Sequence, residues 1–321
     1  MKRIRIIVLI FIILVFASVN NYGALVYGAV NNRIQPSYLT YLGAFRLPGG
    51  TVEPNTWAWG GSAMTYYPSG DPGGPSDGYP GSIYGAGHDQ FHRVSEISIP
   101  VPVISASKSL TALNTASTLQ SFRDILDVSS LEIPRTGLAY LPKQGSQTTD
   151  KIHFCWGYHM QEDPPNLTHG WCELNLSNPQ IKRSWYLGGH PMYTQNMSTN
   201  DYIFDIPTAW ANANTPGNLL ATGRFRDGGW GGQGPSLFAI GPWNDGNPPA
   251  NGTAIQNTTL LLYTSTYTNP EVNYTMNNYH NSDEWSGAAW LTAGSNSAVI
   301  FVGTKGTGYC WYGNPSGPCL T

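Results

Sequence analysis

A short apolar run that closes on a glycine, with a basic residue just behind it, occurs four times in this chain. The instances are Ile83-Tyr84-Gly85-Ala86-Gly87-His88, His153-Phe154-Cys155-Trp156-Gly157-Tyr158-His159, Leu219-Leu220-Ala221-Thr222-Gly223-Arg224 and Val299-Ile300-Phe301-Val302-Gly303-Thr304-Lys305. Their closing glycines lie 70, 66 and 80 residues apart. A repeating unit that cannot bury its own apolar face must stack on its neighbours, so the period dictates a repeat architecture. It also brings His88, His159, Arg224 and Lys305 to equivalent positions.

The segments around each glycine have the same order. Upstream lies an apolar run, at 63–68, 138–142, 202–207 and 288–291, and the first three end at proline. Downstream comes a run of alternating polarity, at 94–100, 171–176 and 236–240, and a further strand is expected at 121–126, 183–187 and 260–264. Period-two alternation bounded by Gly and Pro signals strands and turns. Each unit therefore reads as a four-stranded antiparallel sheet, the blade of a β-propeller. The last unit has a third strand at 309–312 and no fourth. The unassigned strand 41–47 is expected to pair with that last blade and close the ring, leaving no open edge. Four repeats are detected, and a degenerate fifth at 244–279 makes five blades the alternative.

Composition supports an all-β class. The chain has 37 Gly and 24 Pro among 321 residues, and one short helical stretch stands out, 208–212. A formal net charge of −3 offers no attraction to nucleic acid or to an acidic membrane. Lys2, Arg3 and Arg5 precede the apolar run 6–16, which is shorter than the roughly 20 residues a membrane-spanning helix needs. Residues 1–24 therefore read as a secretion signal, cleaved between 17 and 29, and 36–321 as a single propeller domain. The mature protein is expected to be extracellular or periplasmic and free of the membrane.

In an oxidising compartment four cysteines invite pairing. Setting Trp156 opposite Trp171 in a hairpin brings Cys155 against Cys172, and Cys310 with Cys319 closes a short terminal loop. No Cys-x2-Cys spacing exists for zinc, and the acidic, glycine-rich run 71–78 lacks the ligand ladder of a calcium loop, so no metal or other cofactor is expected. Six Asn-x-Ser/Thr triplets, at Asn166, Asn175, Asn196, Asn251, Asn257 and Asn273, matter only in a host that glycosylates.

Blade topology places chemistry at one rim, where second strands end and first strands begin. His88, His159, Arg224 and Lys305 end second strands. Trp230 lies in a following loop, and Trp59, Arg135, Glu284 and Trp285 lie between blades. Indole faces stack on sugar rings, while His, Arg and Lys hold carboxylate or sulfate groups, which favours binding of a glycan or other extracellular polymer. The competing reading is that glycine simply lets a strand bulge or turn and the basic side chain is solvated.

Two other functions stay open, a secreted glycoside hydrolase or polysaccharide lyase and a structural or adhesion module. A hydrolase would draw on Asp89, Asp201, Asp227, Asp283 and Glu284. A lyase would draw on His88, His159, Tyr158 and Arg135. The residues do not decide between these sets, and neither a catalytic residue nor an oligomeric state is assigned.

Overall fold

The computed structural model describes residues 34, 36–158, 167–188, 200–224, 234–263, 283–294 and 296–304. The chain divides into two units. In Met1–Thr40 the described residues hold one 3-10 turn, Pro36–Tyr38. Tyr41–Thr321 holds all the described strands, an all-β arrangement of several antiparallel sheets.

The first sheet is a meander of β1 (Met64–Tyr67), β2 (Gly78–Ala86), β3 (Val94–Pro100) and β4 (Thr118–Arg123). One helical turn, α1 (Gly74–Asp77), interrupts the β1–β2 connection. The second repeats the order with β5 (Pro134–Leu141), β6 (Lys151–Tyr158), β7 (His169–Glu173) and β8 (Lys182–Leu187). The third begins with β9 (Tyr202–Asp205), passes through helix α2 (Thr208–Asn214), and continues with β10 (Leu220–Gly223) and β11 (Leu237–Ile240). Before completing it, the chain sends β12 (Thr253–Ile255) to pair in parallel with β8, then returns as β13 (Asn257–Leu261) beside β11. A hairpin of β14 (Glu284–Ala293) and β15 (Asn296–Thr304) forms the last sheet. The four glycine-closed runs coincide with β2, β6, β10 and β15, and the upstream runs overlap β1, β5, β9 and β14.

Consecutive sheets bury their faces against each other. Tyr84, Ala86 and Val94 of the first meet Leu138, Ile152 and Phe154 of the second. The other face of the second sheet, with Ala139, Trp171 and Trp185, meets Ile203, Leu220 and Phe238 of the third. On its far side the third sheet packs Tyr202, Ala221 and Leu237 against Ala288, Trp290, Val299 and Phe301 of the hairpin. Helix α2 covers that cluster, with Trp210 4.9 Å from Trp290, ring centre to ring centre. Strands four residues long are weak alone. Each fully buried large apolar side chain contributes on the order of 1.5–3 kcal/mol, so stacking rather than strand propensity holds these sheets together.

The first strands are neighbours as well: β1 lies against β5, β5 against β9 and β9 against β14. The Tyr140 amide, on the outer edge of β5, donates to Thr65 Oγ1 of β1 at 2.7 Å, which satisfies an edge donor. At Gly137 a Cβ atom would come within 2.6 Å of the Ile203 nitrogen, so β5 and β9 approach too closely for any side chain there. Close approach also explains the repeat. A Cβ at Gly223 would strike the Ser236 carbonyl oxygen and the Tyr202 ring, and one at Gly303 the Glu284 carbonyl oxygen. None of the four repeat glycines has a positive φ, and at Gly87, Gly223 and Gly303 the missing side chain clears space rather than making a left-handed turn.

Three expectations need correction. Ala44 bridges Val103 and Arg46 bridges Thr115, so among the described residues strand 41–47 joins the β3–β4 connection of the first sheet rather than the β14–β15 hairpin. Its Phe45 and Leu47 cover the outer face of that sheet with Trp57 and Ile97. Trp171 pairs with His153, not with Trp156, and Cys172 with Ile152 while Cys155 pairs with His169. Cys155 therefore joins the core toward the third sheet and Cys172 the core toward the first, on opposite faces, and both thiols are buried and free. Burial raises the pKa of both thiols, that of Cys172 to about 12. Finally, the described part of 244–279 forms no sheet of its own, because it supplies β12 and β13. The Cys310–Cys319 pair and strand 309–312 lie outside the described residues.

Candidate functional site

The β2–β3 loop is a tight, stitched structure. Gly87 N–H donates to Arg93 O at 2.8 Å and His92 N–H to His88 O at 2.8 Å, which closes the loop on itself. It is then tied to the entrance of β5. Gln90 Nε2 donates to Ser129 O (2.9 Å) and Leu131 O (3.2 Å), and His92 Nε2 lies 3.0 Å from Pro134 O. His92 is buried in the left-handed region with φ of +44°. Its other ring nitrogen, Nδ1, lies 3.5 Å from Ser62 Oγ. Burial lowers the His92 pKa from its ordinary value.

A second group of charges converges from the third sheet. Asp201, just ahead of β9, is held by its N–H on Gly223 O at 3.0 Å. Its carboxylate sits between two guanidinium groups, Arg135 Nη1 at 3.7 Å and Arg224 Nε at 3.9 Å. The Tyr202 hydroxyl lies within hydrogen-bond distance of the Arg224 and Ser236 carbonyls, which ties down the end of β10 that carries Arg224. Arg224 is wholly buried, behind the Asp201 carboxylate that its Nε approaches. Arg135 is one-fifth exposed.

Both groups face one cavity of about 270 Å³, lined by Ser62, Asp89, Gln90 and His92 from the first sheet, Arg135 from the second, and Asp201 and Ser286 from the third and fourth. Comparison with known proteins finds no family, curated protein or solved structure that matches the chain. The chemistry therefore has to be read from the lining itself. Two carboxylates accept, a guanidinium and an amide donate, and two serines do either. Among the described residues no three His, Cys, Asp or Glu side chains cluster as a metal site requires.

Of the residues expected at the rim, Arg135 lines the cavity and Arg224 supports it from below. His88 stands beside it, with Nε2 3.2 Å from Glu53 and Nδ1 3.2 Å from the cavity residue Asp89. Trp59 is 81% exposed on the loop before β1. It has φ of +58° and is held by Gly60 N–H on Trp57 O (3.0 Å) and Gly61 N–H on Ala86 O (2.8 Å). Glu284 and Trp285 are half-buried at the start of β14, two residues and one residue from the cavity's Ser286. His159, Trp230 and Lys305 lie outside the described residues.

Ser62 had no signal in the sequence, because Gly60-Gly61-Ser62 looks like an ordinary turn. His92 follows His88 by four residues, a spacing that serves metal ligation on a helix but has no such meaning in a hairpin loop. In the fold the two histidines are not paired as ligands, since His92 turns inward and His88 outward.

Proposed function

We propose that the chain is a secreted β-propeller whose rim cavity binds one ring of a glycan or hydroxyl-rich extracellular polymer. Support for the ring comes from the stacking of consecutive sheets and from first strands that lie side by side. The observation that carries the binding reading is the convergence of equivalent strand ends from four sheets on one polar cavity. Its volume is just under the roughly 300–1,000 Å³ of drug-sized ligand sites, which suits a single sugar residue. Asp89 and Asp201 accept from ring hydroxyls and Arg135 donates to them or to a ring carboxylate. Trp59, at most about 11 Å along the chain from Ser62 by backbone reach, offers an indole face to the next ring.

The test is calorimetric titration of neutral and uronate-containing oligosaccharides, with new reducing and unsaturated ends assayed in parallel. Binding that falls at least tenfold in Arg135→Ala supports the reading. New ends would favour the hydrolase or lyase instead. Absence of binding and of cleavage across both panels would leave the adhesion module.

A further inference from the structure

His92 and Ser62 have the arrangement of a base and a nucleophile. The Pro134 carbonyl can only accept, so the hydrogen on the His92 ring sits on Nε2, which faces that oxygen at 3.0 Å. Nδ1 is then left with its lone pair, directed at Ser62 Oγ 3.5 Å away. Ser62 is exposed and lines the cavity, while His92 is buried behind it. Nucleophile, base and a third group that orients the base are the parts nucleophilic catalysis needs, and their spacing is commonly loose before substrate binds.

The backbone points the same way. A histidine at φ of +44° is in a strained backbone conformation, and such strain persists where surrounding contacts over-determine it, often at functional sites. Here the contacts are the two hydrogen bonds that close the β2–β3 loop and the Nε2 tie to Pro134. Electrostatics suit a base as well. Burial keeps the ring neutral at pH 7, Arg135 and His88 oppose its protonation, and Asp89 with the Pro134 carbonyl stabilises the imidazolium once formed.

We infer that Ser62 and His92 form a nucleophile–base dyad that removes an acyl group esterified to a hydroxyl of the bound polymer; only the identity of the carrier rests on the glycan reading above. Ser62 Oγ bonds to the ester carbonyl carbon as its proton passes to His92 Nδ1. The Arg135 guanidinium, in the same cavity, faces the negative charge that develops on the carbonyl oxygen. The carbon–oxygen bond to the sugar breaks and the leaving alkoxide takes the proton from Nδ1. Water then adds to the acyl-serine, giving a proton to Nδ1 that returns to Ser62 Oγ as the carboxylic acid departs.

The experiment is to treat the full chain with an alkyl fluorophosphonate and map the adduct by mass spectrometry, alongside hydrolysis of p-nitrophenyl acetate. The dyad requires one phosphonyl adduct on Ser62 with loss of fluoride, none in Ser62→Ala, and labelling at least tenfold slower in His92→Gln at a temperature where circular dichroism shows that variant folded. Hydrolysis should fall at least 100-fold in Ser62→Ala, whose exposed side chain is not needed for folding. An unlabelled wild-type protein, or an adduct that survives Ser62→Ala, overturns the dyad. The two readings fail separately. Wild-type protein that binds oligosaccharide but is not labelled sinks the dyad alone, and labelling at Ser62 without oligosaccharide binding sinks the carrier alone.

Discussion

Two regions of this protein bury histidine, and they are built to different ends. Between the second and third sheets, His169 has both ring nitrogens engaged, Nδ1 with Thr168 Oγ1 at 2.8 Å and Nε2 with Thr222 Oγ1 at 2.9 Å. His153 beside it bonds Gln147 Oε1 at 2.8 Å and is flanked edge-on by Trp171 and Trp243. At the cavity, His92 has one nitrogen on a carbonyl and the other on a serine that solvent reaches. Full engagement makes a histidine part of the packing. A free edge toward a cavity leaves it chemistry to do.

The sharpest test of that contrast is His153→Ala. It empties a site between two tryptophans and strands the Gln147 carbonyl oxygen, so stability should fall by about 3 kcal/mol in urea unfolding. A loss below about 1 kcal/mol would mean that the interior histidine is not structural.

Acid should separate the regions next. Burial lowers the pKa of His153 and of His169 to about 3, against 6.5 for the ordinary group. Their folded values lie below the unfolded one, so the stability they contribute is complete above about pH 6.5 and is lost as pH falls toward 3. The urea midpoint is expected to drop between pH 7 and pH 4.5, and a flat profile over that window would contradict the buried, neutral pair. The smallest effect belongs to Trp59→Ala. An 81% exposed side chain should change stability by no more than about 0.5 kcal/mol, while oligosaccharide affinity falls several-fold in the same calorimetric titration. An unchanged affinity would remove Trp59 from the site.

The strands were legible where a glycine or proline punctuated them, which is why β2, β6, β10 and β15 could be placed. Register was not, and β6 shows the reason. Five consecutive residues, Lys151 to Cys155, are buried because sheets cover both faces. Alternation fixes register only where one face is wet, so nothing in this run favoured Trp156 over His153 as the partner of Trp171. The strand at 41–47 was recognisable as a strand, yet its pairing rests on two isolated bridges that no local pattern encodes.

At the site, Arg135 and Asp201 could be named because strand ends are recognisable. The Ser62–His92 contact could not, since it joins residues thirty apart across a turn whose composition is commonplace. Arg224 was visible as a basic residue but not as a buried one.

The parallel strand β12 has a bearing on how the chain is made. During synthesis β8 leaves the ribosome well before Thr253–Ile255, and until those residues arrive its outer edge stands unpaired. The second sheet is thus finished only by a segment that departs from and returns to the third. Completion of the second sheet therefore waits on the third, and a nascent chain halted between them presents a sticky edge.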